Sequence, residues 1–133
     1  MESLQILYMG GNGIADVAPL SGLVGLEELA IHENQIVDVT ALADLTSLVK
    51  LWAYDNAISD IGSLSGLVNI ELLSLHVNAI SDISPVVGNP GIGAGDTVSL
   101  TANPLSAMSL YELIPVLDAR GVTVSYTPDT NAP

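Results

Sequence analysis

The sequence predicts an α/β repeat solenoid, in which short strands stack into one parallel sheet. Copies of one apolar pattern begin 22 residues apart, at Leu4, Leu26, Leu48 and Ile70. Within a copy, two apolar residues such as Leu29 and Ile31 alternate with outward positions, which is the pattern of a strand with one buried face. One strand cannot bury that face alone, so neighbouring copies must stack. We expect five coils that start near residues 4, 26, 48, 70 and 95.

A column of asparagines marks the end of each predicted strand. Its members are Asn12, Asn34, Asn56, Asn78 and Asn103. The chain has to turn out of the strand at this point, and an inward amide can satisfy backbone groups that a turn leaves unpaired. We therefore predict a structural role for these residues.

A column of aspartates follows the asparagines, and each aspartate precedes Val or Ile. Its members are Asp16, Asp38, Asp60 and Asp82. Asp before a short apolar turn is a good N-cap, and the segments that follow are short enough for single 3-10 turns on the convex side. The alternative is that the stacked carboxylates bind calcium. We favour capping, because a calcium loop needs several oxygen ligands within one coil.

The repeat can now be compared with known families. The N-x-I-x-D-[IV] tail in 22-residue coils resembles the leucine-rich repeats of the internalin and protein-phosphatase-regulator type, from Leu4 to about Val87. The resemblance implies a right-handed superhelix with a concave parallel sheet, a bacterial-type recognition module and protein binding. It also favours a secreted or cell-surface location, although it implies no particular ligand.

The spacing changes after the fourth coil. Asn103 lies 25 residues after Asn78, and the three extra residues fall in the Gly-rich segment Gly88–Asp96. A Gly-rich loop can hold phosphate, but this one has no Gly-Lys-Ser/Thr ending, no G-x-G-x-x-G after a strand and no nearby cation. We predict a longer convex loop.

A C-terminal cap is predicted over residues 106–126. Ser109 and Glu112 form a capping-box pattern, and the apolar spacing after Ser109 is helical up to Gly121. Pro115 should bend or split that helix. The alternating VTVSY segment should then add a last strand. The sequence thus predicts one domain over residues 1–126 and a flexible tail over residues 127–133.

Composition excludes several functions. Two basic against 15 acidic residues give a net charge of −13, which would repel nucleic acid and anionic membrane surfaces. Without cysteine there is no disulfide framework, Cys-based zinc site or thiol nucleophile. No apolar run reaches the roughly 18–20 residues needed to cross a bilayer, so membrane insertion is not expected.

The outward strand positions form the concave surface, where solenoids usually bind their partners. It holds three of the five aromatic residues, both histidines and one of the two basic residues. The candidate binding residues are Tyr8, Glu28, His32, Glu33, Lys50, Trp52, Tyr54, Asp55 and His76. Aromatic side chains with polar tips are typical of interface hot spots, which predicts a protein or peptide partner. Glu33 and Asp55 favour a cationic one. The alternative is that the rings only shield the sheet.

Neither a metal nor a reaction is predicted on this surface. His32 and His76 lie two rungs apart, about 9–10 Å at the spacing of a sheet, and Tyr54 stands between them. Zinc needs nitrogens about 2.0–2.1 Å away on each side. Glu33 and Asp55 are neighbouring carboxylates on an open surface, without a nucleophile–base–orienter set. We expect no catalytic residue, no cofactor and no enzymatic activity.

The rival interpretation is structural. The first coil begins almost at Met1 without a polar cap or a recognisable secretory signal, so we expect it to be covered by further sequence or by a partner. The module would then be a spacer in a larger cell-surface or secreted protein, with no ligand of its own. In a variant of this interpretation, the uncovered first strand pairs with a second copy of the chain.

Overall fold

Six short strands form one parallel sheet in chain order in the computed structural model, which describes residues 3–127. The strands are β1 (Ile6–Tyr8), β2 (Glu28–Ala30), β3 (Lys50–Trp52), β4 (Leu72–Ser74), β5 (Thr97–Ser99) and β6 (Thr123–Ser125). The register follows the repeat, since Leu51 lies beside Leu29 on one side and Leu73 on the other. The predicted parallel solenoid is confirmed, and crossover connections of this kind are right-handed.

Short turns connect the strands on the side opposite the sheet. Three of them are the predicted 3-10 turns, at Ala18–Leu20, Thr40–Leu42 and Gly62–Gly66. The fourth is instead a single α-helical turn, α1 (Ser84–Val87), closed by a 2.8 Å hydrogen bond from the Gly88 N–H to the Ser84 carbonyl.

The core is aliphatic and lies between the sheet and the turns. Each inner coil adds one layer of fully buried side chains, and those of the second coil, all 0% exposed, are Leu26, Leu29, Ile31 and Ile36. Their counterparts in the first coil are only half-buried: Leu4, Leu7, Met9 and Ile14. Among the described residues, the first coil therefore has a covering layer on one side only.

The C-terminal helix begins earlier than predicted. Residues 107–119 are helical, and the Oγ of Ser106 accepts a 3.1 Å hydrogen bond from the N–H of Ser109. The predicted capping box at Ser109 and Glu112 is therefore wrong, because Ser106 is the capping residue. Ser109 is instead fully buried, and its hydroxyl donates to the Ser81 carbonyl at 2.8 Å. This bond joins the helix to the fourth coil.

Pro115 lies where the helix changes type. A π turn over Ser109–Leu113 ends with the Ile114 N–H donating to the Ser109 carbonyl, and the α-helix α2 (Ile114–Ala119) follows. The widened turn places Pro115 in the first turn of α2, where a missing N–H is tolerated. The helix is divided at this point, as the proline predicts.

After α2, Gly121 has a φ of 87°, a left-handed conformation that suits glycine at a helix end. β6 then completes the helix–strand cap. Of the tail predicted for residues 127–133, only Thr127 is described, and its hydroxyl accepts a 2.8 Å hydrogen bond from the Ala102 N–H. Within residues 3–127, none of the helices has the length and apolar character needed to cross a bilayer.

Candidate functional site

The outward face of the sheet consists of three columns of side chains that run across the strands. The entry column is Ile6, Glu28, Lys50, Leu72 and Thr97. The middle column is Tyr8, Ala30, Trp52, Ser74 and Ser99. The exit column, two residues further along each coil, is Gly10, His32, Tyr54, His76 and Thr101. Together they form the concave face.

Three rings of the exit column form one parallel stack. The ring centroids of His32 and Tyr54 are 4.6 Å apart with planes at 9°, and those of Tyr54 and His76 are 4.4 Å apart at 10°. The stack rests on Gly10, where an added Cβ would overlap the imidazole of His32. Because the phenol ring of Tyr54 fills the space between the two imidazoles, no metal can be shared directly between them.

In the middle column, Tyr8 and Trp52 meet across a small residue. Their ring centroids are 6.0 Å apart and their planes cross at 76°, an edge-to-face arrangement. Ala30 lies on the strand between them and is only 4% exposed. With His32 and Tyr54 from the exit column, these residues line an open pocket of about 410 Å³. We call it the aromatic pocket, with Ala30 as its floor and four rings as its walls.

A carboxylate fixes the outermost ring of the pocket. The hydroxyl of Tyr8 donates a 2.6 Å hydrogen bond to Oε1 of Glu28 on the neighbouring strand. This hydrogen bond raises the pKa of the Tyr8 phenol, and partial burial and the negative charge of Glu28 raise it further. Tyr8 is nevertheless 61% exposed, so most of its surface is open to solvent.

We expect Glu28→Ala to lower the pKa of Tyr8 toward the ordinary phenol value, because the acceptor that favours the neutral phenol is removed. Since the folded-state pKa is raised, the stabilisation from this bond is present below the unfolded-state pKa and is lost as pH rises through the folded one. The Cζ resonance of Tyr8, followed by NMR across alkaline pH, measures the change. Glu27→Ala is the control, because it removes one negative charge but leaves the hydrogen bond between Tyr8 and Glu28 in place. An equal change in the pKa of Tyr8 in this variant would contradict the role of that hydrogen bond.

Two equivalent histidines differ in their hydrogen bonding. Nδ1 of His76 lies 3.2 Å from the Ser74 hydroxyl, two residues earlier in the same coil. Nδ1 of His32 is buried without a hydrogen-bond partner among residues 3–127, because the equivalent residue of its coil is Ala30. The alanine that opens the floor of the aromatic pocket is thus also the reason why this nitrogen lacks a hydroxyl partner.

The remaining candidate residues lie around the pocket rather than in it. Lys50 is an exposed neighbour of Glu28 in the entry column, and His76 belongs to the stack but does not line the pocket. Glu33 and Asp55 are exposed three residues after the ends of β2 and β3, with φ values of 54° and 57°. This left-handed conformation costs an L-residue about 1–2 kcal/mol, and it recurs in Val77 and Ala102 at φ values of 56° and 57°.

Solved structures with this architecture are similar to the chain. Internalin C2 of Listeria monocytogenes matches with a TM-score of 0.82 and 32% identity, over 95% of this chain and 53% of that one. The internalin inlF of the same organism gives a TM-score of 0.76 and 28% identity, over 92% and 36%. A leucine-rich-repeat protein of Leptospira interrogans gives a TM-score of 0.80 at 19% identity, over 93% and 31%, a likeness of fold alone.

A family model described as Leucine Rich repeats (2 copies) matches residues 46–88. The chain is a leucine-rich-repeat protein. It spans 53% of internalin C2 and 36% of inlF, so it corresponds to only part of either protein. A comparison with curated proteins gives no match.

The asparagine column of this leucine-rich-repeat chain joins successive coils. Nδ2 of Asn56 donates to the carbonyl of Ala53 in its own coil at 3.1 Å and to that of Ile31 in the preceding coil at 3.0 Å. Its Oδ1 accepts from the N–H of Ile36 at 3.0 Å. The same three kinds of bond are made by Asn34, Asn78 and Asn103. Asn12 lies in the first of the described coils, and among residues 3–127 its Nδ2 donates only within that coil.

Each aspartate of the second column accepts a hydrogen bond from the backbone N–H two residues later. The four Oδ1–N distances lie between 2.8 and 2.9 Å, to Ala18, Thr40, Gly62 and Ser84. The bond from the Thr40 N–H holds the pKa of Asp38 below its usual range, and that from Ser84 does the same for Asp82. Within residues 3–127, no three His, Asp or Glu side chains cluster in a way that could hold a metal ion.

Sequence reasoning missed two residues that matter here. Asn89, which is 0% exposed, donates to the carbonyls of Leu64 and Leu67 and accepts from the Gly91 N–H, so it fastens the Gly-rich loop to the third coil. Ala30 is the floor of the aromatic pocket. Its signal in the sequence is a small residue between the two large residues of the middle column, Tyr8 and Trp52, and this signal becomes meaningful only once the pocket is seen.

Proposed function

We propose that this leucine-rich-repeat chain is a protein- or peptide-binding module that engages its partner through the concave face. The aromatic pocket carries the proposal. Stacking between coils accounts for Tyr54, but it does not account for Tyr8, a residue that is 61% exposed at one wall of the pocket. Large amphipathic rings around a pocket are typical of residues that dominate binding energy. Leucine-rich repeats are commonly protein-interaction modules, and we propose that this one acts without catalysis.

The charge of the face favours a cationic partner. Three carboxylates, those of Glu28, Glu33 and Asp55, lie on or beside the concave columns, against one lysine, Lys50. The whole chain carries a net charge of −13. Such a field accelerates encounter with a basic partner and makes binding weaken as salt is added.

Peptides selected from a random display library against the folded chain test the proposal, since no partner has to be known beforehand. We expect the selected peptides to bind Trp52→Ala at least about tenfold more weakly, which corresponds to roughly 1.4 kcal/mol, because this variant removes one wall of the pocket. The affinity is measured by calorimetry or fluorescence anisotropy, and circular dichroism checks that the variant is folded.

Val37→Ala is the matched control, because Val37 is 59% exposed but lies outside the concave columns. Its affinity for the peptides should equal that of the wild-type chain. Peptides that bind Trp52→Ala as tightly as the wild type, or that lose as much affinity with Val37→Ala, would place the binding surface elsewhere.

The rival function, a spacer or self-associating segment, is favoured by a different observation. Leu7 and Met9 of the first coil are half-buried, whereas their second-coil counterparts Leu29 and Ile31 are 0% exposed. Covering this end with a second copy would bury apolar surface and pair the free side of β1. Sedimentation across a range of concentrations tests self-association, because an associating chain exceeds the monomer mass of 13.7 kDa as its concentration rises.

A further inference from the structure

We infer that the aromatic pocket takes one arginine side chain of the partner. The inference rests on the proposed function and names the side chain that the concave face recognises. Its starting point is the shape of the pocket: Ala30 leaves a depression between Tyr8 and Trp52, and the rings of His32 and Tyr54 close one side. A volume of about 410 Å³ lies within the range of ligand-binding pockets and leaves room for a long side chain.

The chemistry of the walls favours a cation. Aromatic faces carry the negative part of the ring quadrupole, so a positive group placed against Trp or Tyr is attracted, most strongly to Trp. Trp52 and Tyr8 provide two such rings in one pocket, whereas both faces of Tyr54 are covered by His32 and His76. An apolar side chain would gain from the rings alone, but it would gain nothing from the carboxylate at the edge.

That carboxylate favours arginine over lysine. Oε1 of Glu28 accepts the Tyr8 hydroxyl, and a carboxylate has about four acceptor positions, so Glu28 can accept further hydrogen bonds. A guanidinium is planar, presents five N–H donors in its plane and stacks on aromatic rings. It can therefore lie against a ring and donate to Glu28 at the same time. An ammonium is a compact charge that is more strongly hydrated.

The single tryptophan of the chain reports directly on the pocket, because Trp52 is one of its walls. The probes are the N-acetyl methylamides of arginine, lysine and norleucine, titrated into the folded, 15N-labelled chain. We expect the Trp52 indole N–H resonance to shift with arginine and to saturate at a concentration about fivefold lower than with lysine. Norleucine, which is long and uncharged, should shift the resonance less than either cation over the same range, because it gains from the rings alone.

Two variants locate the effect. Ala30→Leu fills the floor and should weaken arginine binding about tenfold or more, whereas Ser99→Leu, in the same column but outside the pocket, should leave it unchanged. Glu28→Gln keeps an acceptor but removes the charge, and should weaken arginine binding about threefold. Glu27→Gln is its control for the loss of net charge. If Ala30→Leu does not fold, the comparison of Glu28→Gln with Glu27→Gln still tests the inference: equal arginine binding by the two variants would overturn it.

An equal response to norleucine, an equal response to lysine, or no arginine-dependent shift would overturn the inference. The proposed function can fail or survive separately. Selected peptides without arginine that still lose affinity with Trp52→Ala would leave the proposed function standing and overturn this inference. Peptides that need their arginine for binding, but bind Trp52→Ala as tightly as the wild-type chain, would overturn both the proposed function and this inference.

Discussion

Leu51→Ala is expected to lower the free energy of unfolding by about 3–5 kcal/mol. Leu51 is the central residue of β3, is 0% exposed and lies between Leu29 and Leu73 of the neighbouring coils. Because a coil is present on both sides, the structure cannot collapse into the space left by the missing atoms. The lost burial and the remaining cavity therefore both lower the free energy of unfolding. Urea unfolding followed by circular dichroism measures the loss.

Leu7→Ala is the matched control, since Leu7 holds the same position in β1 but is only half-buried. We expect it to cost about 1–2 kcal/mol, because less apolar surface returns to water and no closed cavity forms. A loss as large as that of Leu51→Ala would contradict an open first coil. It would show that this end is covered in solution, which is what self-association requires.

Asn56→Ala is expected to cost about 2–3 kcal/mol. The carbonyls of Ile31 and Ala53 each accept from two asparagines, those of successive coils, so both would lose one of their two bonds. The Ile36 N–H would lose the Asn56 Oδ1 that it donates to, and the side chain of Ile36 is 0% exposed. A backbone N–H left unpaired in such surroundings is costly. Chemical denaturation again provides the measurement.

Two further variants separate the parts of this effect. Asn12→Ala removes the exposed side chain of the first member of the column, whose Nδ2 donates to carbonyls of its own coil, and should cost less than about 1 kcal/mol. Asn56→Asp keeps the acceptor for Ile36 but removes both N–H donors and places a charge beside two carbonyls. An Asn56→Asp chain as stable as the wild type would mean that the donated bonds contribute nothing.

Most of the fold could be predicted from the sequence because its interactions repeat at a fixed spacing. A coil of 22 residues places Leu29, Leu51 and Leu73 in register, and stacking is the only way in which such short strands can bury their apolar side chains. The C-terminal cap could be predicted less completely. Ser109 and Ser106 both fit a helix start, and only packing against Ser81 of the fourth coil decides which of them is buried.

The candidate face was predictable as a set of residues, because strand alternation alone determines which side chains point outward. Which of these side chains contact one another could not be predicted. Tyr8 and Trp52 are 44 residues apart in the chain, and their contact across Ala30 depends on how far each ring leans along the sheet. Alternation does not contain that information. It also gives no reason to single out an alanine among tyrosine, tryptophan and histidine.

The sequence by itself determined the repeat, the parallel sheet, the solenoid and the outward residues, because each follows from local periodicity and the need to bury one face of every coil. Only the tertiary structure decided that Tyr54 stacks between His32 and His76, and that Tyr8, Trp52 and Ala30 enclose a pocket beside them. The physical reason is that backbone register follows from spacing, whereas the meeting of side chains from different coils depends on rung distance, on rotamers and on which neighbour is small.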